Sequence, residues 1–129
     1  MALTLALAGC SSGGAATPGR LSDWLHRDLR VTDGHATSAD WVLTTDSRTG
    51  AIFDGPLSTG LAHIYVVDVH GRFEARASCG LGMPESACAT VGSDYVVALD
   101  PNTLEVRAET IAEKPVDLTS LGDHGHADL

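Results

Sequence analysis

Lysine is almost missing: Lys114 is the only one in 129 residues, and seven arginines bring the basic total to 8 against 17 Asp and Glu. The net charge is −9 and no run of Lys or Arg offers a local exception, so a nucleic-acid backbone is repelled and nucleic acid is excluded as a partner. Aromatics are scarce as well, with 2 Trp, 2 Tyr and 2 Phe, so Val, Leu, Ile and Ala must supply most of any core. No stretch approaches the roughly twenty apolar residues that a membrane-spanning helix needs. What is plentiful is glycine, 14 residues, which suits a fold with many turns. The length is that of one domain.

Met1 to Gly9 are apolar or small throughout and end in Leu7-Ala8-Gly9-Cys10. So short an apolar run has the length of a signal-peptide core. The tetrapeptide resembles the lipobox of bacterial lipoproteins, in which the cysteine receives a diacylglycerol and becomes the first mature residue. The resemblance implies a signal peptide over 1–9, lipidation of Cys10 and anchoring at the extracytoplasmic face of the cell membrane (the outer membrane where the source has one). One acyl chain anchors marginally, whereas the two or more on a lipoprotein cysteine hold firmly. Residues 10–20, with Ser11 to Arg20 rich in Gly, Ser and Ala, predict a flexible tether. The folded domain is expected over 21–129.

Leu21, Trp24, Leu25 and Leu29 share a helical face, and Ser22 is a fair N-cap, so Ser22–Arg30 predicts a short helix. From Asp40 onward β-type runs alternate with turn residues, and three hairpins are expected. The first runs from Trp41–Thr45 through Asp46–Gly50 to Ala51–Phe53. The second runs from Ile64–Val69, turning at His70-Gly71, to Arg72–Ala77. The third runs from Tyr95–Leu99 through Asp100–Thr103 to Leu104–Ile111. The last two read as copies: Tyr65-Val66-Val67 matches Tyr95-Val96-Val97, and Phe73–Ala77 matches Leu104–Ala108. Their outgoing strands are apolar on both faces, as between two packed layers. In the return strands Phe73, Ala75, Ala77 and Leu104, Val106, Ala108 should face inward, with Glu74, Arg76, Glu105 and Arg107 outward.

Tyr95 to Val106 (YVVALDPNTLEV) resembles a blade segment of bacterial β-propellers of the quinoprotein-like or YVTN type, and His63 to Arg76 is a weaker second match. The resemblance implies an all-β fold of antiparallel hairpins resembling one to two propeller blades. A closed ring needs typically four to eight blades of four strands, more than this length provides. The expected alternatives are a piece of a longer propeller lipoprotein, blades completed by another chain, or a small sandwich.

Cys79 and Cys88 bracket the loop between the two related hairpins. With Cys10 lipidated, an even pair remains in an oxidising compartment and a disulfide is expected. Closing so short a loop contributes roughly 2.7 kcal/mol on a chain-entropy account. The spacing suits neither zinc nor a redox motif.

Asp123, His124, His126 and Asp128 lie within six residues and are the sharpest chemical signal, a donor set for zinc or another divalent metal. His124-Gly125-His126-Ala127-Asp128 also resembles the first half of the H-x-H-x-D-H motif of metallo-β-lactamase-fold hydrolases, with Leu129 where the closing histidine would stand. A solvated terminal segment is the expectation to beat. His26, His35, His63 and His70 have no evident partner, and His70 reads as a solvated turn residue. Asp68, an acid in an otherwise apolar strand, is expected to tie down a neighbouring loop.

No Ser-His-Asp order, phosphate loop or spaced carboxylate pair stands out, so no catalytic residue or cofactor is expected. The reading is an exported, membrane-anchored lipoprotein whose propeller-like module binds or scaffolds an unknown protein or small-molecule ligand. The alternative is a fragment of an exported quinone- or metal-dependent enzyme.

Overall fold

The β-branched runs form five strands: β1 (His35–Thr44), β2 (Ile64–Arg76), β3 (Ala89–Leu99), β4 (Val106–Ala112) and β5 (Asp123–Asp128). In the computed structural model, which describes residues 15–29, 35–53, 55, 57–76 and 89–129, they make one sheet in the order β4-β3-β2-β1-β5. Every neighbouring pair is antiparallel, so the fold is all-β as expected. The first four strands form a meander, and β5 returns to the free side of β1.

Side chains alternate across the sheet, and both faces are covered. Trp41, Val67, Val69, Tyr95, Val97 and Leu99 pack on one face with Leu21, Trp24 and Leu25 of the N-terminal segment. Val42, Ile64, Val66, Val96 and Ala98 pack on the other with Leu118, against Ile52, Phe53 and Leu57 from the β1–β2 connection. Adjacent Val66 and Val67, like Val96 and Val97, are therefore all fully buried. Burying each such side chain contributes about 1.5–3 kcal/mol, so the two central strands hold much of the stability.

A short helix forms, one turn earlier than expected. It is α-helical over Gly19–Asp23 and widens over Trp24–Asp28, with Pro18 at the N-cap position assigned to Ser22. Proline fits there because a helix start needs no N–H donor from it. The apolar face is as the spacing predicts: Leu21, Trp24 and Leu25 are buried and Leu29 packs beside them.

The expected tether gives way at Ala15. Its N–H donates to the His124 carbonyl (2.7 Å), it pairs in parallel with Gly125, and Trp41 Nε1 donates to Thr17 Oγ1 (3.0 Å). A β-carbon on Gly125 would meet the Ala15 oxygen at 2.4 Å, so only glycine allows this covering of the β5 edge.

Of the three expected hairpins only the third forms. Asp100 opens its turn by accepting from Asn102 N (2.8 Å), and Leu104 N donates back to the Asp100 carbonyl (2.7 Å). Leu104 itself sits in this turn at φ 60, and β4 starts at Val106. Pairing then slips between Ala98–Ala108 and Leu99–Val106, one extra residue that reverses the side-chain parity. Val106 is 43% exposed as a result, and Leu104 and Ala108 pack on opposite faces, against the expected alternation.

In the second, β2 runs straight through His70-Gly71. Against β3 one extra β2 residue falls between His70 and Phe73, and against β1 the extra residue is Thr37 of β1, so the dipeptide lies in a bulged stretch and makes no turn. A β-carbon on Gly71 would lie 1.8 Å from the His35 oxygen, so the glycine serves a close backbone approach. Tyr65 and Tyr95 do pack into one cluster, but on adjacent antiparallel strands, with Tyr65 opposite Leu99. In the first, Asp46–Arg48 is a helical turn and 51–53 is a further turn. The Asp46 carboxylate accepts from Thr59 N and Thr59 Oγ1 (3.0 and 2.8 Å), folding the segment into a connection whose Ile52 and Phe53 cap the core. The signal segment 1–9, Cys10, Cys79 and Cys88 lie outside the described residues, the last two in the β2–β3 connection. No helix among the described residues is long and apolar enough to cross a membrane.

Candidate functional site

The register puts acids and imidazoles side by side on the Val66/Val96 face. His126 of β5 is opposite Asp40 of β1, Asp40 is opposite Asp68 of β2, and His70 of β2 is opposite Asp94 of β3. The β2 bulge in the pairing with β3 begins directly after His70.

The side chains join into a row across four strands. His126 contacts Asp128 (Nε2–Oδ1, 3.2 Å) and Asp40 (Nδ1–Oδ1, 2.6 Å). The other Asp40 oxygen meets His70 Nε2 at 2.7 Å, and His70 Nδ1 meets Asp94 Oδ2 at 2.7 Å. Ser93 Oγ donates to Asp94 Oδ1 at 2.5 Å and closes the row. Side-chain exposure falls from 94% at Asp128 through 42% at Asp40 and 22% at His70 to 1% at Asp94, so the row leads from solvent to interior.

Asp68 stands beside its inner end, fully buried. Its Oδ2 accepts from Val116 N (2.9 Å) and ties down the β4–β5 connection, as its odd place in an apolar strand predicts. Its Oδ1 has no hydrogen-bond partner among the described residues and lies 3.8 Å from His70 Nδ1. Donor atoms of Asp68, His70 and Asp94 all fall within 4.8 Å of one another.

Position sets the charges. Burial and the neighbouring Asp94 carboxylate push Asp68 up to about 7. Burial also opposes ionisation of Asp94 and Asp40, but their neighbours outweigh it and hold both below the ordinary carboxylate value: Asp68, Ser93 and His70 around Asp94, His126 and His70 around Asp40. For His70, burial disfavours the cation, but Asp40, Asp68 and Asp94 together raise its pKa above 6.5. His126 is raised mainly by its hydrogen bond to Asp40.

The row opens on two depressions. One, of about 620 Å³, is lined by Asp40, Trp41, Asp117, Leu118, His124 and His126. The other, of about 650 Å³, is lined by His35, Thr37, His70, Arg72, Ser93 and Asp94.

The C-terminal quartet is divided. Asp123–Asp128 is a paired strand and no solvated tail, and alternation sends Asp123 to the opposite face from His124, His126 and Asp128. His126 and Asp128 join the row, whereas His124 lines the first depression with Nδ1 3.2 Å from the Gly122 carbonyl. His70 is no solvated turn residue but the centre of the row. Asp40 and Asp94 carry no isolated signal. Both directly precede a core aromatic, Trp41 and Tyr95, a dipeptide that in a strand puts acid and aromatic on opposite faces.

No protein-family model, curated protein or solved structure matches the chain.

Proposed function

We propose that the chain is an exported module, held at the extracytoplasmic face of the membrane by a lipid on Cys10, that binds a cationic ligand through its carboxylate–imidazole row. The row is the observation that carries the binding role. Four aspartates along or beside it, Asp40, Asp68, Asp94 and Asp128, face two histidines, and its middle opens to both depressions. An electronegative, partly desolvated groove of this kind favours cations and disfavours anions. Membrane attachment rests on Leu7-Ala8-Gly9-Cys10 and its resemblance to the lipobox. The propeller likeness draws support from the β1–β4 meander, since a blade is a four-stranded sheet.

Both halves are testable. Mature protein should partition into detergent, and Cys10→Ser should stay unprocessed and outside that phase. Equal partitioning of both would refute the anchor. Small cations, divalent ions and diamines included, should raise the melting temperature of the wild-type chain, and matched dicarboxylates should not. A ligand response independent of charge sign would refute the binding role.

A further inference from the structure

We propose that Asp68, His70 and Asp94 form a binding site for a single divalent metal ion of the zinc class, with Asp40 holding the histidine in position from behind. The inference rests on the cation-binding reading above and names the ion and its ligands, which are not those that the C-terminal sequence suggests.

The first support is an unsatisfied acceptor. Asp68 Oδ1 is fully buried, has no hydrogen-bond partner among the described residues and points toward His70 Nδ1 at 3.8 Å. A buried carboxylate oxygen left without a partner costs several kcal/mol if ionised, and a bound cation removes that cost. The second support is the use of the two imidazole nitrogens. Nε2 is occupied by Asp40 at 2.7 Å, while Nδ1 faces both Asp94 (2.7 Å) and Asp68. A histidine ligand to a metal commonly gives its other N–H to a carboxylate, which fixes the tautomer and raises the basicity of the coordinating nitrogen. Here Asp40 is that carboxylate, and His126 Nδ1 steadies it in turn at 2.6 Å.

The third support is size and charge. Zinc–nitrogen and zinc–oxygen bonds of about 2.0–2.2 Å place neighbouring ligand atoms roughly 3.3 Å apart. The His70–Asp94 distance must open slightly and the His70–Asp68 distance must close slightly, each by less than about 1 Å. Two carboxylates balance the charge of one divalent ion. A mixed imidazole–carboxylate set suits zinc or its analogue cobalt, whereas calcium calls for six to eight oxygens. Metal entry displaces the proton on His70 Nδ1 and any proton on Asp68 to solvent. The depression lined by His35, Thr37 and Ser93 gives the ion a path to His70 and Asp94.

The test uses detergent-solubilised full chain, stripped with chelator, kept non-reducing and titrated with Co²⁺ or Zn²⁺. One Co²⁺ per chain should bind, with d–d absorption of a low-coordinate site, displaceable by Zn²⁺ and unaffected by excess Mg²⁺. Asp68→Asn and Asp94→Asn should weaken binding at least tenfold, and Asp40→Asn about tenfold to a hundredfold, as losses behind a ligating histidine do. His124→Ala should leave stoichiometry and affinity unchanged. In case a variant loses its fold by circular dichroism, imidazole ¹⁵N spectra of wild type give an independent readout. Zn²⁺ should shift His70 Nδ1 and leave His26 and His63 unmoved. Absence of Co²⁺ binding by folded wild type would overturn the proposal, as would full affinity in a folded Asp68→Asn chain or ¹⁵N shifts at His124 without shifts at His70. If organic cations stabilise the chain and metals do not, the metal site fails while the broader cation-binding reading stands.

Discussion

His70 is gripped by Asp40 through Nε2 and by Asp94 through Nδ1, each at 2.7 Å, although these partners stand 30 and 24 residues away in the chain. The grip spans three adjacent strands, so the ring links β1, β2 and β3 where bulges at Thr37 of β1 and after His70 of β2 disrupt their pairing. An imidazole between two anions at 22% exposure exchanges water for charge-assisted hydrogen bonds, which are roughly twice as strong as neutral ones. It also concentrates proton binding in a small volume, with measurable consequences.

Metal-free protein should be most stable near about pH 4. Asp68, at about 7, and His70, above 6.5, both bind protons more tightly folded than unfolded. Their contribution is fully present below the unfolded values and is lost as pH rises through the folded ones. Asp40 and Asp94, held below 3.8, have the opposite sign: their contribution is present above that value and is lost as pH falls through the folded ones. Around them stand Ser93, His126 and Asp128, with His35 and Arg72 beside His70 and Asp94 and with Asp117 and His124 beside Asp40. The melting temperature in EDTA should therefore fall from about pH 4 to beyond about pH 7, with the Asp68 share lying between about 4 and 7 and the His70 share above about 6.5, and Asp68→Asn should flatten the acid part of that decline. A melting temperature that rises over the same interval would contradict the assignment.

Gly71→Ala should be severe. The new methyl would lie 1.8 Å from the His35 oxygen, a backbone atom in a paired strand that cannot swing aside. A cost of about 3 kcal/mol, the upper end for overpacking, is expected in urea unfolding. Were His70-Gly71 a solvated hairpin turn, the same change would cost only about 1 kcal/mol.

What the sequence makes legible follows from local physics. Val66-Val67 and Val96-Val97 announce strands buried on both faces, and Leu21, Trp24 and Leu25 announce a helical stripe, because both signals depend only on period. His70-Gly71 misleads because a bulge and a turn ask the same thing of the chain, a residue without a β-carbon. Only the approach of β1, contributed from 35 residues upstream, decides between them. The row is illegible for a related reason. Asp40, His70, Asp94 and His126 come from four strands, and their meeting depends on a register that no local pattern encodes. The C-terminal quartet has ideal spacing in sequence, yet six consecutive residues in a strand cannot aim neighbours at one point.

Leu104 offers the sharpest check on the β3–β4 turn. At φ 60 it occupies the left-handed region, where a side chain costs about 1–2 kcal/mol and glycine nearly nothing. Its side chain is partly buried against the first cluster, so truncation also removes some apolar contact. Leu104→Ala loses that contact and keeps the backbone cost, whereas Leu104→Gly loses the contact and sheds the cost. The glycine variant should therefore be at least as stable as the alanine variant, by up to about 1 kcal/mol in urea unfolding. An ordinary strand position gives the reverse order, because glycine there forfeits about 0.5–1 kcal/mol relative to alanine. The adjacent, exposed Glu105→Ala should stay within about 0.5 kcal/mol of wild type and serves as the control. A glycine variant less stable than the alanine variant would place Leu104 on the strand and restore the regular alternation.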